Sequence, residues 1–374
     1  MSALVLVPIL ILSLYTVILI LFSIGLSGTK SGGYQDPKGN TRATLLIPFR
    51  NEAENLPGLL NDLYSQTYPS SLFQVVFVDD HSEDNSRNVV ESLTANRIGY
   101  SCLTLPIDKT GKKDALYVGV QHAENDWIIQ VDADCRIDDG FIAAHISHLE
   151  RYPSDLVAGL VITKKESGGF MESFERLDLL SMGGVAAASF ILKKPMMCSG
   201  ANLAYSKELY LETRSYDPPG AVASGDDMFL MIGARKLGRS LSYLLSPQSV
   251  VKTKPVLSLS EFIKQRVRWG SKTLHYRQSD IQLLAILVVL TNMTLLLTPV
   301  WIFYVPDNWA GWLGMWAAKT LADGALIYTV SRPVNQQYVM KRFLLASIVY
   351  YPVFLMILIR SIFGPGGWKG RIFK

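Results

Sequence analysis

The first 29 residues of this 374-residue chain carry no charged side chain, and no other feature limits its possible folds as much. The run is rich in Leu, Ile and Val and exceeds the roughly 20 residues that a helix needs to cross the hydrocarbon of a bilayer. No basic residue precedes it, and it is longer than the apolar part of a cleaved leader. It is therefore expected to remain as a transmembrane anchor. Composition agrees, since 18% of residues are charged and the mean hydropathy is +0.21, too apolar for an ordinary soluble enzyme. Three more apolar stretches follow at 281–306, 309–330 and 343–359. The middle one contains Lys319 and Asp323, four apart, placed to pair on one helix face or to make a polar contact inside a bundle.

The net charge of +4 is small, and the basic residues sit beside the apolar runs. Lys30, Lys38 and Arg42 follow the first; Lys264, Arg266, Arg268, Lys272 and Arg277 precede the second. By the positive-inside tendency, the region between them is cytosolic. The expectation is an integral protein of the cell (inner) membrane, with no nucleic acid among its partners. Arg332, Lys341 and Arg342 point the same way. Four full spans would place Lys369, Arg371 and Lys374 outside, so the crossing of 343–359, which contains Pro352, stays open. Cys102, Cys135 and Cys198 form no disulfide framework, as in a reducing compartment.

Between the apolar ends, short apolar runs that finish in acidic clusters alternate with longer mixed segments, the signature of βα units in a mainly parallel sheet. Residues 43–48 (ATLLIP) lead into Phe49-Arg50-Asn51-Glu52, 74–78 (QVVFV) into Asp79-Asp80-His81-Ser82, and 127–131 (WIIQV) into Asp132-Ala133-Asp134. Open α/β sheets bind ligands at the carboxyl ends of their strands. Residues 168–192 read as a helix, either at the membrane interface or buried in the domain.

Asp132 and Asp134 flank one small residue, which suits a divalent ion such as Mg²⁺ or Mn²⁺ that takes few protein carboxylates and leaves its other positions to water and phosphate. Such an ion would neutralise a diphosphate leaving group. Asp79 and Asp80 can accept hydrogen bonds from a base or ribose. Asp226 and Asp227 precede an apolar helix, where one can cap it and the other can act as a general base. Gln265, Arg268 and Trp269 fall within little more than one helical turn: Arg268 can fork onto a diphosphate and Trp269 can offer a flat surface to a sugar or lipid headgroup. Alternatively, Arg268 and Trp269 form an interfacial belt before a membrane span.

In this order the residues resemble the family-2 inverting glycosyltransferases with a GT-A fold, in the membrane-embedded branch that includes ceramide glucosyltransferases, hyaluronan synthases and cellulose synthases. The resemblance covers about residues 41 to 275. It rests on Ile47, Pro48, Arg50, Asn51 and Glu52, on Val78 to Ser82, on Gly111-Lys112 with Ala115-Leu116, on Asp132-Ala133-Asp134, on Gly225-Asp226-Asp227, and on Gln265, Arg268 and Trp269. It implies an α/β fold, a Rossmann-like mixed sheet, with one N-terminal and two to three C-terminal transmembrane helices. The implied layout is an anchor at 1–29 with a short linker at 28–33, a cytosolic transferase domain with interfacial helices at 30–279, a membrane bundle at 280–364 and a basic tail at 365–374.

The resemblance also implies roles. Pro48, Glu52, Asp79, Asp80, Lys112, Asp132, Gln265 and Arg268 would bind a nucleotide-sugar donor, most commonly a UDP-sugar in this family. Asp132 and Asp134 would hold Mg²⁺ or Mn²⁺, Asp227 would be the base, and Asp226, Trp269 and Asn202 would lie on the side of a lipid or saccharide acceptor. The chain departs from the family pattern at His81, where glycine is usual, and at the second lysine, Lys113. A lipid-directed transferase, a processive polysaccharide synthase and a non-enzymatic membrane scaffold are the competing functions, and too few C-terminal spans for a polymer channel favours the first.

Overall fold

The computed structural model describes residues 3–28, 37–166, 168–214, 225–273, 276, 278–304, 306–363, 366–368 and 371–373. Lys30, Arg277, Lys369, Lys374 and the expected linker beyond Gly28 lie outside them, as does much of the basic tail. Two compact units emerge, one formed by Thr29–Lys164 with Ser189–Lys254, the other by Met1–Gly28, Lys165–Ala188 and Pro255–Lys374. Helices and strands are numbered in chain order.

The first unit is a mixed α/β layer structure. Its strands are β1 (Ala43–Phe49), β2 (Phe73–Asp79), β3 (Tyr100–Thr104), β4 (Trp127–Gln130), β5 (Cys135–Arg136), β6 (Leu156–Gly159), β7 (Val161–Thr163), β8 (Leu203–Ser206), β9 (Leu241–Leu244) and β10 (Val251–Thr253). Its helices are α2 (Leu56–Tyr64), α3 (Ser86–Thr94), α4 (Lys112–His122), α5 (Phe141–Arg151), α7 (Lys207–Thr213) and α8 (Asp226–Lys236). Among the described residues the main sheet runs β3-β2-β1-β4-β8-β6-β9. All its pairings are parallel except those of β8, which is antiparallel to β4 and β6. Every residue of β1 and β2 is buried, because helices cover both faces of a parallel sheet and leave no side for polar alternation. Leu45, Ile47, Val75 and Phe77 pack with Leu59 and Leu63 of α2 and Phe141 of α5 in the main core.

A second, three-stranded sheet in the order β5-β10-β7 decides the geometry of the acidic turn. β4 ends at Gln130 and β5 begins at Cys135, so residues 131–134 are held between strands at both ends. The Val131 N–H reaches the Leu46 carbonyl at 3.2 Å and that of Cys135 reaches Asp132 at 3.1 Å. Arg136 of β5 forks onto Asp62 of α2 with two bonds of 2.6 Å. On the opposite side of β1, α4 approaches so closely that a Cβ at Gly119 would lie 2.1 Å from Leu46 Cδ1.

The second unit is helical. It contains α1 (Ala3–Ser27), most of α6 (Phe170–Ile191), α9 (Leu259–Thr273), α10 (Ser279–Leu296), α11 (Thr298–Tyr304), α12 (Trp309–Ser331) and α13 (Phe343–Phe363). Among the described residues, three helical segments are long and apolar enough to cross a membrane: Leu6–Ser27, Ser279–Leu296 and Gln337–Ile362. Pro352 lies inside α13 without ending it. The 309–330 stretch is helical as α12 but is not one of the three, since Lys319 and Asp323 lower its apolar character. Both expectations for that pair hold at once: Lys319 Nζ lies 2.7 Å from Asp323 Oδ2, and Tyr15 of α1 donates to Asp323 Oδ1 at 2.7 Å. The helix expected at 168–192 is α6, and it is mostly buried. Its Glu172 pairs with Arg176 at 3.1 Å, both nearly excluded from water.

Candidate active site

The carboxyl ends of β1, β2 and β4 open on the same side of the sheet, as parallel neighbours must. At the end of β1 and just past β2, Asn51 and His81 both adopt φ of 54°, the left-handed region that costs an ordinary side chain roughly 1 to 2 kcal/mol. Glycine avoids that cost, which explains physically why a glycine fits the His81 position. Here neighbours hold the strained loops together. Asn51 Oδ1 accepts from the Glu83 N–H at 2.8 Å, the Asn51 N–H donates to Ser82 Oγ at 3.0 Å, and a His81 ring nitrogen meets the Lys109 carbonyl at 3.0 Å.

Asp79 and Asp80 are each 3% exposed. Asp79 Oδ1 accepts from the N–H and hydroxyl of Ser82, and Asp80 Oδ1 accepts from the Gly111 N–H at 2.8 Å and from Thr110 Oγ1 at 3.2 Å. These carboxylates therefore shape the loops after β2 and before α4. Gly111, at φ of 97°, turns the chain so that Lys112 opens α4, and the Lys112 ammonium forms an ion pair with Asp132 Oδ1. Burial lowers the Lys112 pKa, but the charge and hydrogen bond of Asp132, with Asp227 and Asp226 behind it, outweigh burial and hold the pKa above its usual value.

Asp134 is exposed, yet protein atoms crowd its carboxyl. That crowding, then the charges of Asp132 and Glu52, raises its pKa, against weaker opposition from the Cys135 thiol and Lys112. A carboxylate pushed up by neighbouring negative charge is one that a cation would stabilise. No group of three or more metal-ligating side chains exists among the described residues. The donor set is thus a pair of hard oxygens, which fits Mg²⁺ or Mn²⁺ completed by water and diphosphate oxygens.

Asp226 and Asp227 form the first turn of α8 after Gly225, whose φ is 108°. Asp227 Oδ2 accepts from the Gly200 N–H at 2.8 Å and its Oδ1 from the Met228 N–H at 2.8 Å. Gln130, a buried amide at the end of β4, donates to the Gly200 carbonyl at 2.7 Å. The chain around Gly200 is therefore fixed to both β4 and Asp227. Gln130 was not among the expected site residues; the signal was a lone polar residue in an otherwise apolar strand.

Asn202, expected on the acceptor side, lies inside the fold. It is 0% exposed, its amide donates to the Leu160 and Ser249 carbonyls at 2.9 and 2.8 Å, and its Oδ1 faces His145 Nε2 at 3.1 Å. It joins the two sheets from within. Pro48 is buried in β1, and Glu52 Oε2 accepts from Asn55 at 2.6 Å. The structure thus gathers Glu52, Lys112, Asp132, Asp134, Asp226 and Asp227 in one unit, whereas Gln265, Arg268 and Trp269 belong to α9 of the other.

A mixed sheet with acidic loops at its parallel carboxyl ends is a GT-A-type arrangement. Residues 44–213 match glycosyl transferase family 2, so this segment of the chain carries a domain of that family. The glycosyltransferase AglE of Haloferax volcanii is 25% identical over 229 residues, 61% of this chain and 71% of that protein. The undecaprenyl-phosphate 4-deoxy-4-formamido-L-arabinose transferase of Shewanella sediminis is 28% identical over 151 residues, 35% of this chain and 45% of its own length. A mannosyltransferase from Pyrobaculum calidifontis, solved in complex with GDP-Man and Mn²⁺, shares the fold at a TM-score of 0.58 and 18% identity, over 94% of this chain and 97% of that one.

Proposed function

We propose that the chain is an inverting transferase of the cell membrane that moves a sugar from a nucleotide-sugar donor, a UDP-sugar, to a hydroxyl of a membrane lipid. The observation that carries this reading is the convergence of Lys112, Asp132, Asp134 and the Asp226-Asp227 pair, whose charges act on one another. A divalent ion held by Asp132 and Asp134 would neutralise the leaving diphosphate. Lys112 contributes a further positive charge there, and Glu52 with the Asp79-Asp80 loop forms the nucleoside side. Asp227 takes the proton of the acceptor hydroxyl as its oxygen attacks the anomeric carbon and the bond to the nucleoside diphosphate breaks. One such displacement inverts the centre. Gln265, Arg268 and Trp269 are assigned to the diphosphate and the acceptor mouth by the family resemblance.

The lipid acceptor is supported by the three segments able to span a bilayer and by a relative whose name pairs its sugar with undecaprenyl phosphate. The basic residues flanking the spans support a cytosolic transferase domain. A processive polysaccharide synthase is the second reading. Radiolabelled donor incubated with membranes separates the two, because the first yields an organic-extractable glycolipid and the second a high-mass polymer.

Asp227→Asn tests the base. The amide oxygen can still accept from the Gly200 N–H but cannot take a proton, so turnover should fall by about 10² to 10⁴-fold while the donor still binds. Near-normal turnover in this variant would remove Asp227 from the role.

A further inference from the structure

Arg266 lies inside the Gln265–Trp269 stretch but has no part in the reading above. It is 7% exposed, and its Nε donates to Asp178 Oδ2 of α6 at 2.6 Å. Its Nη1 donates to Gln265 Oε1. The guanidinium carbon sits 4.3 Å from the ring centroids of both Phe262 and Trp269, one turn away in each direction along α9. Phe262 is 0% exposed and meets Phe174 of α6 edge-on at 5.1 Å. One planar cation thus touches two of the assigned side chains while fixed to a neighbouring helix.

We propose that Arg266, anchored by Asp178, is a positioning residue that sets the orientation of Gln265 and Trp269 on α9, the side chains that the family resemblance assigns to the diphosphate and acceptor. The inference rests on the transferase reading above. A guanidinium suits the task because its faces stack on aromatic rings while its edge donates in the plane, and an ammonium cannot do both. The competing explanation is that the pair merely packs α9 on α6. Buried ion pairs are weak devices for that, since well-packed apolar residues of similar volume often stabilise as well or better.

The test uses the full-length chain in lipid nanodiscs, with Arg266→Lys, Asp178→Asn, their combination, and the apolar pair Arg266→Met with Asp178→Met. Turnover and donor KM are measured for each. Acrylamide quenching of the Trp269 component is taken as the difference from the same protein carrying Trp269→Phe. The expected result is a fall in kcat of about tenfold to a hundredfold in the first three, with the combination no worse than the worse single change. Trp269 should become more quenchable, and the apolar pair should recover the melting temperature without recovering kcat. Wild-type kcat with unchanged Trp269 quenching in Arg266→Lys, or full turnover in the apolar pair, would overturn the proposal. Should the parent chain transfer no sugar at all, the transferase reading fails, while the quenching result still decides whether Arg266 holds Trp269.

Discussion

A free histidine takes up a proton near pH 6.5, and two histidines on α5 are built not to. His145 is fully buried against Asn202, and burial lowers its pKa to about 3; His148, beside Ser242 and Arg151, is lowered by burial to about 4. Because the Asn202 amide nitrogen donates to two carbonyls, its oxygen is the acceptor, so His145 must carry its proton on Nε2. In the unfolded chain both rings are charged below pH 6.5, so the folded state loses stability as pH falls from 6.5 towards the folded values, by about 1.4 kcal/mol per pH unit for each ring. The melting temperature should therefore drop over that window, and His148→Gln should flatten part of the slope. A slope unchanged by that substitution would show that other groups set the acid limit. Asn202 also marks where reading the sequence stops short. A polar side chain between Gly200 and Leu203 gives no sign of which way it points, and only the meeting of two sheets shows that it points inward. The positions of Asp132 just past β4 and of Asp227 in the first turn of α8 were legible, because an apolar run that stops at a carboxylate marks the end of a strand or the start of a helix.

Elements were legible in proportion to how completely they are buried. The runs at 43–48, 74–78 and 127–131 became β1, β2 and β4 with at most one residue's difference at either end, since strands covered on both faces need continuous apolar sequence. The antiparallel insertion of β8 and the short strands β5, β7 and β10 left no such trace, because two to four residues hold no period and their partners are distant in the chain. The contact of α4 with β1 depends on one missing side chain. Gly119→Ala would drive a methyl into Leu46, whose own strand is locked between β2 and β4. The expected cost is about 1 to 3 kcal/mol, visible as a lower melting temperature. Donor KM should rise as well, because the displaced helix carries Lys112 at its first residue. Normal stability and KM would mean that α4 can shift without disturbing the site.

Across the whole chain, the helical unit joins its first residues to its last third. The Lys319 ammonium lies 5.0 Å from the Tyr351 ring of α13, and Asp323 takes the Tyr15 hydroxyl of α1. Removing one charge of a buried pair costs about 3 to 5 kcal/mol, whereas replacing both with apolar residues is often neutral or stabilising. Lys319→Leu should therefore lower the detergent melting temperature sharply, and Lys319→Leu with Asp323→Leu should restore much of it. Equal losses in both proteins would show that the tyrosines, and not the pair, hold the cluster. The cluster also imposes an order on synthesis. Tyr15 leaves the ribosome 308 residues before its partner. The helix that carries Tyr15 is thus made long before the one that holds its hydroxyl, and the cluster is completed only late in synthesis.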